Sequence, residues 1–358
     1  MQACEFTNLG RDGVYGYPNS SHLNVVESLF SEINSSAILA GSSDDAVIRG
    51  NVLRNIGNIV GAGASGDGGY EGIVSNGDRG EITFNNIRNV GYVGIKWDGN
   101  GTRVANNVVD TTNYIKDDGG GIYCYPSQGP VAHSTRRVVR DNIVLNSVGA
   151  GAGTNSPTTR EADGIYNDGT SSDVDYIHNT VVGAELGIFL NGAHETLVED
   201  NVVMDCRFAL YFQKYNDVQI ENVSVQSNVF VAGTTEQYAA SYRPMAPSMP
   251  ASFAADNNVY ARPVDSSVLD STAIWHVLAD SDTRDTLSSW QAFSGQDAHS
   301  SGSPLYGVAS DSIRVEYNPT NADISIPLVG SYRSMDGAVH SGTVSLSPFD
   351  SIVLIREP

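Results

Sequence analysis

Seven carboxylates, Glu71, Asp98, Asp117, Asp118, Asp163, Asp168 and Glu195, stand inside or beside copies of one five-residue word. The word sets a small residue before Ile, then an aromatic, a further residue, and a polar or aromatic one. GIYCY from Gly121, GIYND from Gly164 and GIFLN from Gly187 are its clearest forms. Paired carboxylates are what breaking a glycosidic bond requires. One must be protonated to release the leaving oxygen, and a second must be ionised to attack the anomeric carbon or activate water. Crowding negative charges raises the pKa of one of them and so supplies the acid. Asp168, in the last position of its word, is the first candidate. Asp163, at the start of the same strand, and Asp118, at the start of the preceding one, are its expected partners. Asp98 follows, two words back in the column of Asp168. All four precede a glycine, which is also how turns are written, so the clustering argues for chemistry more than any single member does. The reaction requires no cofactor, although the same oxygen-rich cluster suits Ca²⁺.

Such residues need a scaffold that brings distant positions together. Further copies of the word begin at Gly13 (GVYGY), Gly72 (GIVSN), Gly94 (GIKWD) and Ala209 (ALYFQ). A second word, Asn before a β-branched residue, recurs out of phase at Asn51, Asn86, Asn107, Asn142, Asn179, Asn201, Asn228 and Asn258. Asn86 to Asn107 is a step of 21 residues and Asn179 to Asn201 one of 22. A β-branched strand at that interval, with Asn at a corner, predicts one coil of a parallel β-helix whose asparagines stack as a ladder. Periodicity of 3.6 residues is nearly missing before residue 260, against a helical solenoid.

Strand alternation then turns the Ile inward and the third and fifth positions outward. One outward column would hold Tyr15, Val74, Lys96, Tyr123, Tyr166, Phe189 and Tyr211. Its neighbour would hold Tyr17, Asn76, Asp98, Tyr125, Asp168, Asn191 and Gln213. Aromatic faces suit the C–H surfaces of sugars, and amides and carboxylates suit their hydroxyls. Lys96, Tyr123, Tyr125, Tyr166, Phe189 and Asn191 are therefore the expected substrate-binding residues, with His194 and Glu195 just past the last clear word. Insertions at Ile56–Tyr70, Asn113–Arg136 and Val148–Glu161 are expected to rise as walls beside this face. Rungs stack about 4.8 Å apart, so carboxylates one or two coils apart fall within the roughly 5–9.5 Å that paired glycosidase carboxyls span.

The organisation predicted is all-β: a right-handed parallel β-helix over 1–262, a connecting segment with a short helix over 263–311, and a small antiparallel β-domain over 312–358. The helix falls within Asp280–Phe293, with Asp285 or Thr286 as N-cap. The domain that follows is expected at the end or flank of the solenoid. A formal charge of −21 argues against nucleic acid and anionic membranes as partners, and makes a strongly anionic polymer a less natural substrate. Three cysteines are too few for a disulfide framework. No apolar run could span a bilayer, and the first residues lack the pattern of a signal peptide, although an extracellular or periplasmic setting is expected. The repeat is under way by Gly13, so the first coil is expected to need a cap from a longer precursor or from another subunit.

DGGGIY (Asp118–Tyr123), DGIYNDGTSS (Asp163–Ser172) and GIFLNGAHETLVEDNVV (Gly187–Val203) resemble right-handed parallel β-helix proteins of the pectate-lyase-like superfamily, and more narrowly its bacterial carbohydrate-active members. SWQAFSGQDAHS (Ser289–Ser300) and EYNPT (Glu316–Thr320) are similar to segments that follow such helices. The resemblance implies a polysaccharide or oligosaccharide lying along the parallel-sheet face, with acids on adjacent coils as catalysts. The superfamily holds hydrolases, lyases, epimerases, esterases and tailspikes, so fold alone does not choose among them. A glycoside hydrolase is the first expectation. A polysaccharide lyase using Lys96 or a nearby Arg as base is the second, disfavoured by a chain with three lysines. A glycan-binding, tailspike-like solenoid without catalysis is the third.

Overall fold

The structure, a computed structural model, describes residues 1–17, 20–64, 66, 68–126, 135–151, 160–169, 171–216, 218, 220–245, 253–278 and 281–357. Within them the chain winds through three sheets of 10, 11 and nine strands, parallel except for the last strand of the 11, and each parallel strand pairs with its counterpart one coil away. This is a right-handed parallel β-helix, with a separate four-stranded antiparallel sheet at its C-terminal side. Every coil visits the sheets in the same order. The 11-stranded sheet carries the five-residue words and forms the functional face, here called the floor.

The corner between the nine- and 10-stranded sheets is built alike in nearly every coil. A residue in the left-handed region (Gly50, Phe84, Asn106, Asp141, His178, Asp200, Ser227 and Asn257) reverses the chain. An inward Asn follows it. Asn51, Asn85, Asn107, Asn142, Asn179, Asn201, Asn228 and Asn258 each pass a side-chain N–H to the next Oδ1 at 2.9–3.0 Å, as far as Asn258. Left-handed φ is unfavourable for Phe or His, and the ladder offsets that strain coil by coil. The predicted ladder is off by one residue at a single rung. Asn85, 1% exposed, occupies it, while Asn86 begins the next strand. With Asn85 in place the step to Asn107 becomes 22 residues, equal to that from Asn179 to Asn201.

Apolar side chains, mainly Ile, Val, Leu and Phe, fill the bore. Its C-terminal end is closed by the helix Leu287–Ser294, capped by the Thr286 side chain and ended by Gly295 in the left-handed region. Trp290 of this helix is fully buried and stacks on Tyr242 at 4.4 Å. The Asn ladder ends nearby, where Asn258 donates to Asp297 at 3.2 Å. Residues 279–280 lie outside the described ones; Ser281–Asp285 form an antiparallel strand on Ile274–Leu278, which itself extends the floor beyond residue 262. The antiparallel domain (Ile313–Tyr317, Ile324–Ser334, Val339–Leu346 and Ser351–Arg356) covers the flank of the 10-stranded sheet, packing Ile313, Met335, Val353 and Ile355 on Met204 and Val231. Among the described residues no helix is long and apolar enough to cross a membrane.

Candidate active site

The glycine of each word is placed by the packing of two sheets. A Cβ on Gly94, Gly121, Gly164 or Gly187 would lie within 2.5 Å of Val109, Val144, Val181 or Val203, the inward residues of the sheet opposite. Glycine and the following Ile therefore both face the bore, and the strand changes parity at that point. Simple alternation would bury Asp163 in the bore, two residues before Ile165. The parity change turns it outward instead, because it pairs with Gly120, whose Cβ direction faces Tyr166 on the outer side.

Beyond the glycine the expected column forms. Lys96, Tyr123, Tyr166, Phe189 and Tyr211 are cross-strand partners in succession. Their rings touch in series, with Tyr123–Tyr166 centroids 5.1 Å apart, Tyr166–Phe189 stacked at 4.5 Å and Phe189–Tyr211 at 5.1 Å. They belong to a cluster separate from the bore, joined by Tyr70 and Tyr92. The column is less open than expected: Tyr123, Tyr166 and Phe189 are only 6–9% exposed, because the rings cover one another. Lys96 lies 5.6 Å over the Tyr123 ring. Of the expected walls, residues 127–134 and 152–159 lie outside the described residues. The first insertion does flank the groove. Lys116 sits 4.8 Å over Tyr70 and donates to the carbonyls of Ala64, Gly66 and Gly68 at 2.7–3.1 Å.

The acids separate into different settings. Asp163 is 2% exposed and its Oδ1 has no hydrogen-bond partner among the described residues. Burial first, then the charges of Asp118 and Glu185 and more weakly Glu161, push its carboxyl well above the ordinary range, against a smaller pull from the Leu186 backbone N–H. Asp118 lies on the neighbouring coil, at a left-handed turn where its carbonyl accepts from Tyr92 Oη at 2.8 Å. Both acids line a hollow of about 250 Å³ floored by Tyr166, Phe189 and Tyr211, with Arg207 and Arg243 at its far side. Asp168 is on the same face but fully engaged, accepting from Tyr123 Oη and from Asn191 Nδ2, each at 2.8 Å. Burial first, and then Asp168, push the Tyr123 hydroxyl far up, so it stays a donor.

Four expected residues stand elsewhere. Asp98 does not share the column of Asp168. Its Oδ1 accepts from the fully buried Arg137 at 2.5 Å, beside Cys124, because a buried guanidinium needs an anion and draws this carboxylate to it. His194 and Glu195 have rounded the corner into the nine-stranded sheet, where Glu195 accepts from Asn222 at 2.6 Å. Tyr125 lies just past its strand, 38% exposed, against Gly169. Among the described residues no group of three or more His, Cys, Asp or Glu is placed to hold a metal ion.

Sequence reading missed Glu185, Phe208, Tyr238, Arg243 and Trp275, all on this face. Two degenerate words announce the last two. AASYR from Ala239 and AIWHV from Ala273 continue the repeat with alanine for glycine, and place Ser241 and Trp275 in the aromatic column and Arg243 beside Gln213.

Fold and site together define a right-handed parallel β-helix with an acid-bearing aromatic groove on one face. No family model and no curated protein sequence matches the chain. Among solved structures it is similar to the Dettilon tailspike protein gp208, with a TM-score of 0.40 and 12% identity over 91% of this chain. The chain spans just over half, 56%, of that tailspike's length. It is also similar to the A-module of the mannuronan C-5 epimerase AlgE4 of Azotobacter vinelandii, with a TM-score of 0.33 and 13% identity over 84% of this chain and 90% of that one. Both are likenesses of fold at identities too low to carry site residues across.

Proposed function

We propose that the protein acts on a polysaccharide and, more narrowly, that it is a glycoside hydrolase with Asp163 as general acid and Asp118 as the ionised partner. The observation that carries this reading is the setting of Asp163: an outward carboxyl, shut from water, with an unpartnered oxygen and Asp118 on the next coil. Desolvation and like charge both keep such a group protonated near neutrality, and a protonated carboxyl is what the leaving glycosidic oxygen must receive. Tyr166 and Phe189 offer stacked ring edges and faces to a sugar. Asp168 and Asn191 act as positioning residues, fixing the Tyr123 hydroxyl. A polymeric glycan substrate fits an extracellular or periplasmic protein.

Lys96, beside the Tyr123 ring, favours elimination on a uronate polymer as the second reading. One assay separates the possibilities. The chain is incubated with a panel of neutral and acidic glycans, and both new reducing ends and the ultraviolet absorbance of a new conjugated double bond are followed. Hydrolysis gives the first without the second, and elimination gives both. Binding with neither indicates a tailspike-like receptor. Asp163→Asn and Asp118→Asn are each expected to lower kcat by about 10²–10⁴-fold in a folded protein. Full activity in both variants overturns the assignment.

A further inference from the structure

Past the acids the groove changes sign. Two coils on from Phe189, the ring column is interrupted by Ser241 and resumes at Trp275. The Arg243 guanidinium lies 3.7 Å from the centre of the Trp275 ring and 5.6 Å from that of Phe208. Arg284 lies 4.1 Å from the same indole and donates to Tyr238 Oη at 2.9 Å. Arg207 and Arg262, close by, are neutralised by Glu185 and Asp265 at 2.7 and 2.6 Å. Among the described residues no carboxylate pairs with Arg243. Its side chain bonds the Tyr211 hydroxyl, while its Nε and Nη2 are buried without an acceptor, and the Ser241 hydroxyl and Asn191 Oδ1 are likewise buried without a partner among the described residues. Other arginines that lack a carboxylate among the described residues, such as Arg54, Arg88 and Arg103, are exposed on strand surfaces, where water solvates them.

A shielded guanidinium without an anion is unfavourable unless something else completes it. Arg243 lines the same hollow as Asp163, so whatever completes it comes in with the ligand. We infer that this end of the groove is an anion subsite, and that the glycan handled at Asp163 carries a carboxylate or sulfate ester that Arg243 reads while Trp275 holds the guanidinium in place. The formal charge of −21 does not oppose this, because it is spread over the whole surface whereas the ligand meets a local field. The inference rests on the glycan reading above, and it names the substrate class that the sequence's net charge had disfavoured.

The test is binding, measured calorimetrically in the Asp163→Asn background so that turnover does not interfere. Two matched pairs serve as probes: a uronic-acid oligosaccharide with its carboxyl-reduced counterpart, and a sulfated galactan oligosaccharide with its desulfated counterpart. At least one charged member is expected to bind tenfold or more tightly than its neutral partner, with the ratio shrinking as salt rises; the pair that does so identifies the group. Arg243→Gln is expected to erase the ratio while leaving the neutral Kd within about threefold. Arg243→Lys, which keeps the charge and loses the fork, should reduce the ratio severalfold. Equal binding within both pairs, or no binding to any member, overturns the inference on the ligand side alone, even should the Gln variant fail to fold. A full ratio in a folded Arg243→Gln protein overturns it as well. If Asp163→Asn still cleaves, the catalytic reading fails while the binding ratio stands; cleavage lost with no charge preference sinks only the anion subsite.

Discussion

Asp163 shows how one residue's surroundings set both chemistry and stability. Its carboxyl is raised well above the ordinary value of 3.8 by burial and then by Asp118 and Glu185. The folded chain therefore binds a proton there that the unfolded chain has already released above about pH 4. That proton's contribution to stability is complete below the unfolded pKa and is lost as pH rises toward the folded one. Two consequences follow from the same sign. Activity of the unaltered chain should fall on the alkaline side as Asp163 ionises, seen in the pH profile of kcat/KM. Asp163→Asn, neutral at every pH, should melt higher than the unaltered protein, and the gap should widen from pH 4 upward to roughly 1–3 kcal/mol. A gap that stays flat from pH 4 to 8 in scanning calorimetry means the carboxyl is ionised in the fold, and the acid must be sought elsewhere.

Among the elements, the coil carries most of what was legible in the sequence. The words recur because each floor strand meets the same corner, and the asparagines recur because each must feed the next. What the words concealed was parity. Glycine at the sheet corner turns two successive residues inward, so Asp163 faces out, contrary to plain alternation, and the Asp98 carboxylate leaves the column because the buried Arg137 guanidinium draws it away. Neither departure has a local signature: the glycine's meaning depends on a valine, and the aspartate's on an arginine, each from a different sheet. The ladder's register gives a sharper check. Asn85 passes hydrogen bonds to Ile48 and Asn107 and accepts from Asn51, whereas Asn86 stands on the strand beside it. Asn85→Ala should therefore cost about 3–5 kcal/mol, since it orphans several buried partners, and Asn86→Ala should stay within about 0.5 kcal/mol. Equal losses in the melting temperatures of the two variants would show that the ladder does not run through Asn85.

At the scale of the whole molecule, the 10-stranded sheet records where its covering domain lies. One outward column along it reads Arg54, Arg88, Asp110, Leu145, Val182, Met204, Val231 and Ala261. The first three suit water, and the remaining five are apolar because the antiparallel domain lies over that part of the flank. This shift from Arg and Asp to aliphatics can be read in the sequence once the register is known, and it accounts for docking along the side of the solenoid. Two contacts pin the edge of the covered area. Phe349 meets Phe84 edge-on at 5.9 Å, and His178 spans the junction, with Nδ1 2.9 Å from Asp141 of the solenoid and Nε2 3.4 Å from Asp350 of the domain. Hydrogen bonds to Asp141 first and Asp350 second raise the imidazole to about 10, outweighing burial. His178 is thus a cation at neutral pH, and its contribution is complete below its unfolded pKa of about 6.5 and is lost as pH climbs through the folded value. His178→Gln should lower stability by about 1–3 kcal/mol at pH 6, with the difference between the two proteins closing as pH rises from about 6.5 to 10. Limited proteolysis at the junction should follow the same course. A difference in melting temperature that persists unchanged at pH 10.5 would mean that the clasp is held by packing at Phe349, and not by charge.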